Sequence, residues 1–228
     1  MNHSNFDRRR SLVLLSGGLD SSANLAMCKD YDEPVLALTV DYGQKAAAAE
    51  IRAAKAISEY YQVKHRVLDM KWLGACGSSG LTSESSTIPK VKTSELDELE
   101  VTKESAKKVW VPNRNGLLIN AAAAIAEGEQ IRQVVVGFNK EEAATFPDNS
   151  SQFLQVVTLS LRYSTSNGVK VACYTDLLDK REIVGALRKL SVKFPFEKVW
   201  SCYYGGDVQC QECESCRRYQ RAVSTESV

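Results

Sequence analysis

The feature that most constrains the fold of this chain is a pair of glycines between a short apolar run and a segment of helical composition. Residues 11–16 (SLVLLS) have the pattern of a buried strand, and residues 20–29 have that of a helix. Gly17 and Gly18 between them permit a tight turn and a close approach of the backbone to a ligand. Because N–H groups and the helix dipole converge at such a turn, the sequence predicts a bound phosphate there.

Side chains beside the two glycines support this prediction. Ser16, Ser21 and Ser22 supply hydroxyl donors. Asp20 would repel a bare phosphate, and its presence therefore indicates a magnesium ion between them. The pattern is neither a Walker A loop nor a GxGxxG dinucleotide turn. The alternative interpretation is a tight turn with an Asp at the start of the helix. We name residues 15–22 the glycine loop.

Strands and helices alternate along the rest of the chain. Further strands are predicted at residues 34–40, 64–68, 133–136 and 169–174, and further helices at 45–61, 116–127, 150–163 and 180–190. This alternation is typical of a parallel sheet covered by helices, so we expect a Rossmann-like α/β fold. The length allows one main domain, which we place at residues 1–195, followed by a small tail at 196–228.

Residues 74–108 interrupt the alternation. They are rich in Ser, Thr, Lys and Glu and contain few large apolar side chains. We therefore expect an insertion that buries little surface and is mobile.

Composition excludes several classes of protein. The 29 Lys and Arg residues nearly balance the 28 Asp and Glu residues, so the net charge of +1 disfavours nucleic acid as the main substrate. No run approaches the roughly 18 apolar residues of a membrane helix. An odd total of seven cysteines in a chain of this size disfavours a secreted disulfide framework. We expect a protein of the reducing cytoplasm.

Four cysteines lie close together in the tail with the spacing C-x7-C-x2-C-x2-C, namely Cys202, Cys210, Cys213 and Cys216. Short intervals of this kind allow the thiolates to converge on one tetrahedral zinc ion. Four protein ligands leave no position for water, which predicts a structural zinc. The alternatives are free thiols, an iron–sulfur cluster, or a nucleic-acid-binding knuckle that uses Arg217, Arg218 and Arg221.

Four segments together resemble a known family. The glycine loop resembles that of the PP-loop ATP pyrophosphatases, in which it binds the pyrophosphate portion of ATP. With DYGQK at 41–45, VPNRNGLLINAAAAIA at 111–126 and SCYYGGDVQCQECESC at 201–216, the chain resembles the 7-cyano-7-deazaguanine synthase (QueC) family over nearly its whole length.

The resemblance implies an AMP-forming ligase with ATP, Mg²⁺ and one structural Zn²⁺ per chain. Its small-molecule substrates would be 7-carboxy-7-deazaguanine, ammonia and ATP, and the product 7-cyano-7-deazaguanine would form through adenylated intermediates and an amide. The family also implies a homodimer, and the composition described above predicts no membrane partner and disfavours a nucleic-acid partner. Two alternatives stay open: a paralogue that stops at the amide or uses another amine, and a non-catalytic nucleic-acid-binding module.

The resemblance also assigns site residues. Asp20, Ser16 and Arg114 are expected to act in catalysis, and Arg114 and Asn115 to bind substrate. Asn113 stands where the family usually has Gly, and Ala46 where it usually has His. The expected ATP contacts are Leu15, Ser16, Gly17, Gly18, Leu19, Asp20, Ser21, Ser22, Asp41, Tyr42 and Gln44.

The largest departure from the family lies at residues 137–150 (GFNKEEAATFPDNS), which we name the second loop. The family commonly has GxNxxDxSGYPDCR there, and that segment is associated with the deazaguanine. We expect Asn139, Glu142, Phe146 and Asp148 to bind the base, with Phe146 stacking and Asp148 as the first candidate acceptor. Lys180 also matches a family segment, although the start of a solvated helix explains it equally well.

Overall fold

The computed structural model describes residues 8–224; residues 1–7 and 225–228, the outer ends of the two predicted units, lie outside the described residues. Five strands form one parallel sheet in the order β3-β2-β1-β4-β5. The strands are β1 (Arg10–Leu14), β2 (Glu33–Asp41), β3 (Lys64–Asp69), β4 (Gln133–Val135) and β5 (Lys170–Ala172). The predicted parallel α/β fold is confirmed.

Helices cover both faces of this sheet, and those predicted from the sequence agree with the structure to within a few residues. They are α1 (Leu19–Tyr31), α2 (Ala47–Tyr60), α3 (Leu99–Val109), α4 (Arg114–Gly128), α5 (Lys140–Ala143), α6 (Ser151–Ser164), α7 (Lys180–Leu187) and α8 (Glu214–Ser224). Short 3-10 turns occupy residues 71–76, 93–95, 147–149 and 196–198. No helix between residues 8 and 224 is both long enough and apolar enough to cross a membrane.

The core consists of two apolar layers, one on each side of the sheet. Leu12 packs with α4 and α6, whereas its neighbour Val13 packs with α1, α2 and α7. Successive side chains of a strand point to opposite faces, and both faces are covered here. This arrangement explains why the strands have continuous apolar runs rather than alternating ones.

The strand order creates a crevice. After β1 the chain builds β2 and β3 on one side, and later it adds β4 and β5 on the other. In open α/β sheets, ligands bind where the order reverses, at the carboxyl ends of the strands. The glycine loop follows β1 and the second loop follows β4, so both lie at this crevice.

The expectation that residues 74–108 bury little surface is wrong. Leu81, Ile88, Val91 and Leu96 are all buried, and α3 begins within this segment. These apolar residues stand singly and without a regular period, so they gave no recognisable pattern. Each packs where the tertiary structure offers a partner; Ile88, for example, contacts the cysteines of the tail.

The tail shares the core of the α/β body. Helix α8 packs against α7, and its Ala222 belongs to the same apolar cluster as Leu187 and Phe194. The division of the chain at residue 195 stays a prediction.

Candidate active site

The shape of the glycine loop depends on a glycine that no other residue can replace without strain. Gly17 has φ +82°, in the left-handed region. A Cβ at this position would lie 2.7 Å from Ala53 Cβ and 2.8 Å from Ala54 N on α2. Gly18 follows as the N-cap of α1 and has no side chain to accept from the first-turn N–H groups. Those N–H groups are therefore suited to bind an anion.

The serines of the loop have different environments. Ser16 N donates to Ser21 Oγ at 3.2 Å, and the two hydroxyl oxygens lie 3.0 Å apart. Both residues line the crevice. Ser22 is fully buried, and its hydroxyl has no hydrogen-bond partner among the described residues. Ser16 and Ser21 are thus placed to contact a ligand, whereas Ser22 lies behind the loop.

The crevice contains a cavity of about 240 Å³. Most of the residues predicted for the site line it: Leu15, Ser16, Gly18, Leu19, Asp20, Ser21, Tyr42, Gln44, Arg114, Asn115, Glu142 and Phe146. The structure does not place the remaining ones on the cavity wall, namely Gly17, Ser22, Asp41, Asn139 and Asp148. Asp41 instead accepts from Gly43 N at 3.0 Å and pairs with Lys71.

A lysine joins the two loops inside this cavity. Lys180 Nζ lies 2.5 Å from Asp20 Oδ2 and 3.1 Å from Glu142 Oε1. The residue is only 6% exposed, so it is not part of a solvated helix start. It begins α7, which is capped by Asp179. Reasoning from the sequence did not select Lys180 as a site residue, although its family match and its place after β5 were signals.

Burial and ion pairing have opposite effects on the pKa values of Asp20, Lys180 and Glu142, which we name the triad. Burial lowers the pKa of Lys180, but the Asp20 and Glu142 carboxylates outweigh it and hold that pKa above the usual value. Burial raises the pKa of Asp20, and Lys180 only partly offsets this. Burial also raises the pKa of Glu142, but there Lys180 prevails and the pKa is lowered. When both are ionised, two carboxylates surround one ammonium group, which leaves the triad with a net negative charge.

The second loop is held in place from several sides. A Cβ on Gly137 would lie 2.5 Å from Ser21 Cα, so the second loop begins in contact with the glycine loop. Asn139 Oδ1 accepts from Glu142 N at 2.9 Å and caps α5. Glu141 accepts from Lys180 N at 3.1 Å and from Arg218 at 2.6 Å. Helices α7 and α8 therefore fix the segment that carries Glu142.

Arg114 and Asn115, at the start of α4, form another part of the cavity wall. The Arg114 guanidinium lies 5.9 Å from the centre of the Tyr42 ring. Asn115 Nδ2 donates to the backbone oxygen of Asp148 at 3.3 Å. The Asp148 carboxylate is not used in that contact. Its Oδ1 accepts from Asn149 at 3.4 Å instead.

The structure accommodates two residues that depart from the family pattern. Asn113, which replaces a glycine, has φ +52°, a left-handed conformation that Asn adopts more readily than most residues. Phe146, which replaces a tyrosine, stacks on Trp110 with ring centres 6.1 Å apart and an interplanar angle of 8°. No pattern in the sequence indicated the Trp110 contact.

The four tail cysteines converge as predicted. Their sulfur atoms all lie within 4.8 Å of one another. A tetrahedral zinc ion with Zn–S distances of about 2.3 Å requires sulfur atoms about 3.8 Å apart. Cys210 N donates to Cys202 Sγ at 3.4 Å and Cys213 N to Cys210 Sγ at 3.3 Å, which stabilises thiolates. This group of donors fits a metal ion.

The tail also contacts both loops. Trp200 N donates to Gly17 O at 2.9 Å. Arg218 pairs with Glu141 and Glu214, and Arg221 with Asp97 and Glu141. Two of the arginines that a nucleic-acid-binding knuckle would present to phosphate are therefore bound to carboxylates of the same chain.

A parallel α/β sheet with a glycine loop at its switch point and an acidic, lysine-bridged cavity beside it defines the class: an α/β protein with a site suited to bind phosphate. Residues 10–226 match the family model described as "Queuosine biosynthesis protein QueC", and the chain belongs to this family.

Relatives with the name 7-cyano-7-deazaguanine synthase cover nearly the same length. The protein from Pelotomaculum thermopropionicum is 50% identical over 216 residues, which are 95% of this chain and 97% of the relative. The protein from Desulforamulus reducens is 48% identical over 212 residues, 93% of this chain and 92% of the relative. A solved NMN synthetase from Francisella tularensis has a TM-score of 0.45 at 13% identity and covers 97% of this chain and 87% of its own.

Proposed function

We propose that this chain is an ATP-dependent 7-cyano-7-deazaguanine synthase. The observation that carries the proposal is the Asp20–Lys180–Glu142 triad, which joins the glycine loop to the second loop inside the cavity. The names of the relatives support the choice of substrate. Neither a chain that stops at the amide nor a nucleic-acid-binding module is favoured by any contact in the site.

The glycine loop binds the phosphates of ATP through the N–H groups of α1 and the Ser16 and Ser21 hydroxyls. A carboxylate oxygen of 7-carboxy-7-deazaguanine attacks the α-phosphorus, and pyrophosphate leaves. Ammonia then attacks the acyl carbon; AMP leaves, and the nitrogen loses a proton to give the amide. The chain contributes mainly positioning and charge stabilisation to these steps.

A second ATP converts the amide to the nitrile. The amide oxygen attacks the α-phosphorus, a second pyrophosphate leaves, and the nitrogen loses a proton. Departure of AMP and of the last N–H proton then forms the carbon–nitrogen triple bond. Both rounds activate an oxygen at one place, so a single glycine loop serves both. Arg114, which lines the same cavity, is suited to bind the substrate carboxylate or the developing phosphate charge.

Asp20 and Glu142 would hold Mg²⁺. Asp20 Oδ1 is buried without a hydrogen-bond partner among the described residues, which fits a cation ligand. When bound, the ion neutralises charge on the phosphates. Lys180 keeps the two carboxylates together and adds a fixed positive charge beside the phosphate site. This assignment moves Glu142 from the base-binding role expected from the sequence to the nucleotide.

We propose one structural zinc ion at Cys202, Cys210, Cys213 and Cys216. The spacing of the sulfur atoms and their N–H donors support it.

Reduced thiols and a need for ATP favour the cytoplasm. A homodimer is supported by an exposed apolar stripe on α6, formed by Val156, Leu159 and Tyr163. Light scattering after size-exclusion chromatography tests the dimer.

The decisive experiment incubates the protein with ATP, Mg²⁺, ammonium and 7-carboxy-7-deazaguanine. We expect the nitrile by mass spectrometry, together with AMP and pyrophosphate that depend on the deazaguanine. ADP and orthophosphate as primary products would refute the proposal, and an amide that accumulates as the end product would favour the paralogue. Asp20→Asn should keep the fold and lose most of the turnover. Asp176 does not line the cavity, so Asp176→Asn is the control.

A further inference from the structure

The deazaguanine ring raises a problem of recognition that the residues expected from the sequence do not solve. One edge of a guanine-like ring carries a ring N–H and an exocyclic amino group, which are both donors. A carboxylate is the side chain that accepts from two such neighbouring donors. Asp148 does not line the cavity, and Glu142 is engaged by Lys180. This leaves the edge to another acceptor, and a carboxylate is the side chain with two acceptor oxygens side by side and a charge that favours two donors.

Glu50 meets this requirement. Within the described part of the chain, the carboxylates that line the cavity are Asp20, Glu50 and Glu142. Asp20 and Glu142 share the ammonium of Lys180, whereas Glu50 has no ion-pair partner within residues 8–224. It is thus the cavity carboxylate whose charge is not already paired with a lysine or arginine at contact distance.

One carboxylate oxygen of Glu50 accepts a hydrogen bond from the side-chain amide of Gln44, and the other partners of that amide determine its orientation. Gln44 Oε1 accepts from Tyr42 N at 2.9 Å, so its Nε2 must point the other way. That Nε2 donates to Val40 O at 3.2 Å and to Glu50 Oε2 at 2.8 Å. Glu50 Oε1 has no hydrogen-bond partner among the described residues. The carboxylate is therefore held in one orientation with an acceptor left for a ligand.

Glu50 is also fixed relative to the glycine loop. It lies in the first turn of α2, and its backbone oxygen is 3.0 Å from where a Cβ on Gly17 would stand. Burial raises the pKa of its carboxyl group, and the Gln44 hydrogen bond and the charge of Arg114, which lies beyond ion-pair distance, only partly offset this. A pair of N–H donors from a ligand would stabilise the ionised form.

We propose that Glu50 is the specificity-determining residue that accepts from the ring N–H and the 2-amino group of the deazaguanine. This inference rests on the proposed function. It places recognition of the base on α2, whereas the sequence analysis expected it on the second loop.

The test compares three bases that differ at position 2: the 2-amino substrate, an analogue with hydrogen there, and an analogue with a 2-oxo group. Calorimetry at a saturating concentration of a non-hydrolysable ATP analogue gives each dissociation constant. The wild-type protein should prefer the 2-amino base over the hydrogen analogue by on the order of 10- to 100-fold, since a bidentate pair discriminates by this amount.

Glu50→Gln should reverse this preference. Gln44 Nε2 is a donor, so the carbonyl oxygen of the new amide would take the place of Oε2 and accept from it. The new NH₂ group would then take the place of Oε1 and point at the ring N–H and 2-amino group, which are also donors. The advantage of the 2-amino base should disappear, and the 2-oxo analogue should bind more tightly than to the wild type. A merely structural role of Glu50 would not change the order of the three bases.

Glu59→Gln, an exposed change on the same helix, is the matched control and should leave all three constants unchanged. If Glu50→Gln does not fold, Glu50→Asp keeps the charge and should reduce the preference for the 2-amino base. Unchanged discrimination in the folded variant, or a loss confined to ATP binding, overturns the inference. A wild-type protein that does not bind the deazaguanine at all would refute the proposed function itself.

Discussion

The glycine loop and the second loop lie side by side at the carboxyl ends of adjacent strands, but they acquire their shapes differently. The glycine loop is organised by local contacts, such as the Ser16–Ser21 hydrogen bonds and the capping of α1 by Gly18. The second loop obtains its partners from far along the chain: Lys180 binds Glu142, and Arg218 binds Glu141. A cradle of N–H groups can be formed locally, whereas a buried carboxylate needs a cation from elsewhere.

This difference predicts how each loop responds to change. Apart from Lys180, which pairs with Asp20, and the tail segment bound to Gly17, the glycine loop should tolerate loss of a distant side chain as long as its glycines and helix remain. The second loop should lose its geometry when one of its remote partners is removed. Lys180 contacts both loops, through Asp20 and Glu142, so its removal should have the largest effect.

Lys180→Met leaves Asp20 and Glu142 in one buried site with no ammonium group between them. We expect turnover to fall by about 10³-fold, in the range found when a fixed electrostatic group is removed from an active site. Because Lys180 lowers the pKa of Asp20, that pKa should rise in the variant. The residual activity, which needs ionised Asp20, should therefore be confined to higher pH. Pyrophosphate release measured against pH tests this, with the exposed Lys103→Met as control; a loss below tenfold would contradict it.

Cys213→Ser should weaken both loops at once, because the tail contacts Gly17 through Trp200 and Glu141 through Arg218. We expect loss of the metal and of roughly 3 kcal/mol or more of stability, since the free energy of zinc binding contributes directly to folding. Elemental analysis and thermal unfolding measure the two effects. The exposed Cys76→Ser is the matched control. A full zinc content in Cys213→Ser would contradict the four-thiolate site.

Arg218→Met should affect the second loop more than the glycine loop. Arg218 is buried and binds Glu141 and Glu214, so its removal leaves two carboxylates with fewer partners, at a cost of about 3 kcal/mol. Glu141 is next to Glu142, which the proposed function assigns to Mg²⁺ and the nucleotide, whereas Glu50 on α2 reads the base. Therefore kcat/KM for ATP should fall about tenfold, and the apparent affinity for the deazaguanine should stay within about twofold.

Steady-state kinetics with each substrate varied in turn, with Lys55→Met as surface control, tests the difference. Equal losses for both substrates would mean that the second loop also positions the base.

Asp148→Ala should have the smallest effect. The contact from Asn115 goes to the backbone oxygen of Asp148, which alanine retains, and the carboxylate does not line the cavity. We expect kcat/KM for the deazaguanine to remain within about threefold of the wild type. A loss greater than tenfold would restore Asp148 as the residue that reads the base and would weaken the case for Glu50.

The sequence by itself determined the parallel α/β fold, the glycine loop and the cysteine cluster, because each depends on neighbouring residues or on regular spacing. The tertiary structure decided which buried charges meet: Lys180 lies 160 residues from Asp20, and Arg218 lies 77 residues from Glu141. It also decided that Leu81, Ile88 and Leu96 are buried within an apparently polar segment. Such pairings have no local pattern. Their energy arises only when distant segments exclude water from the same place.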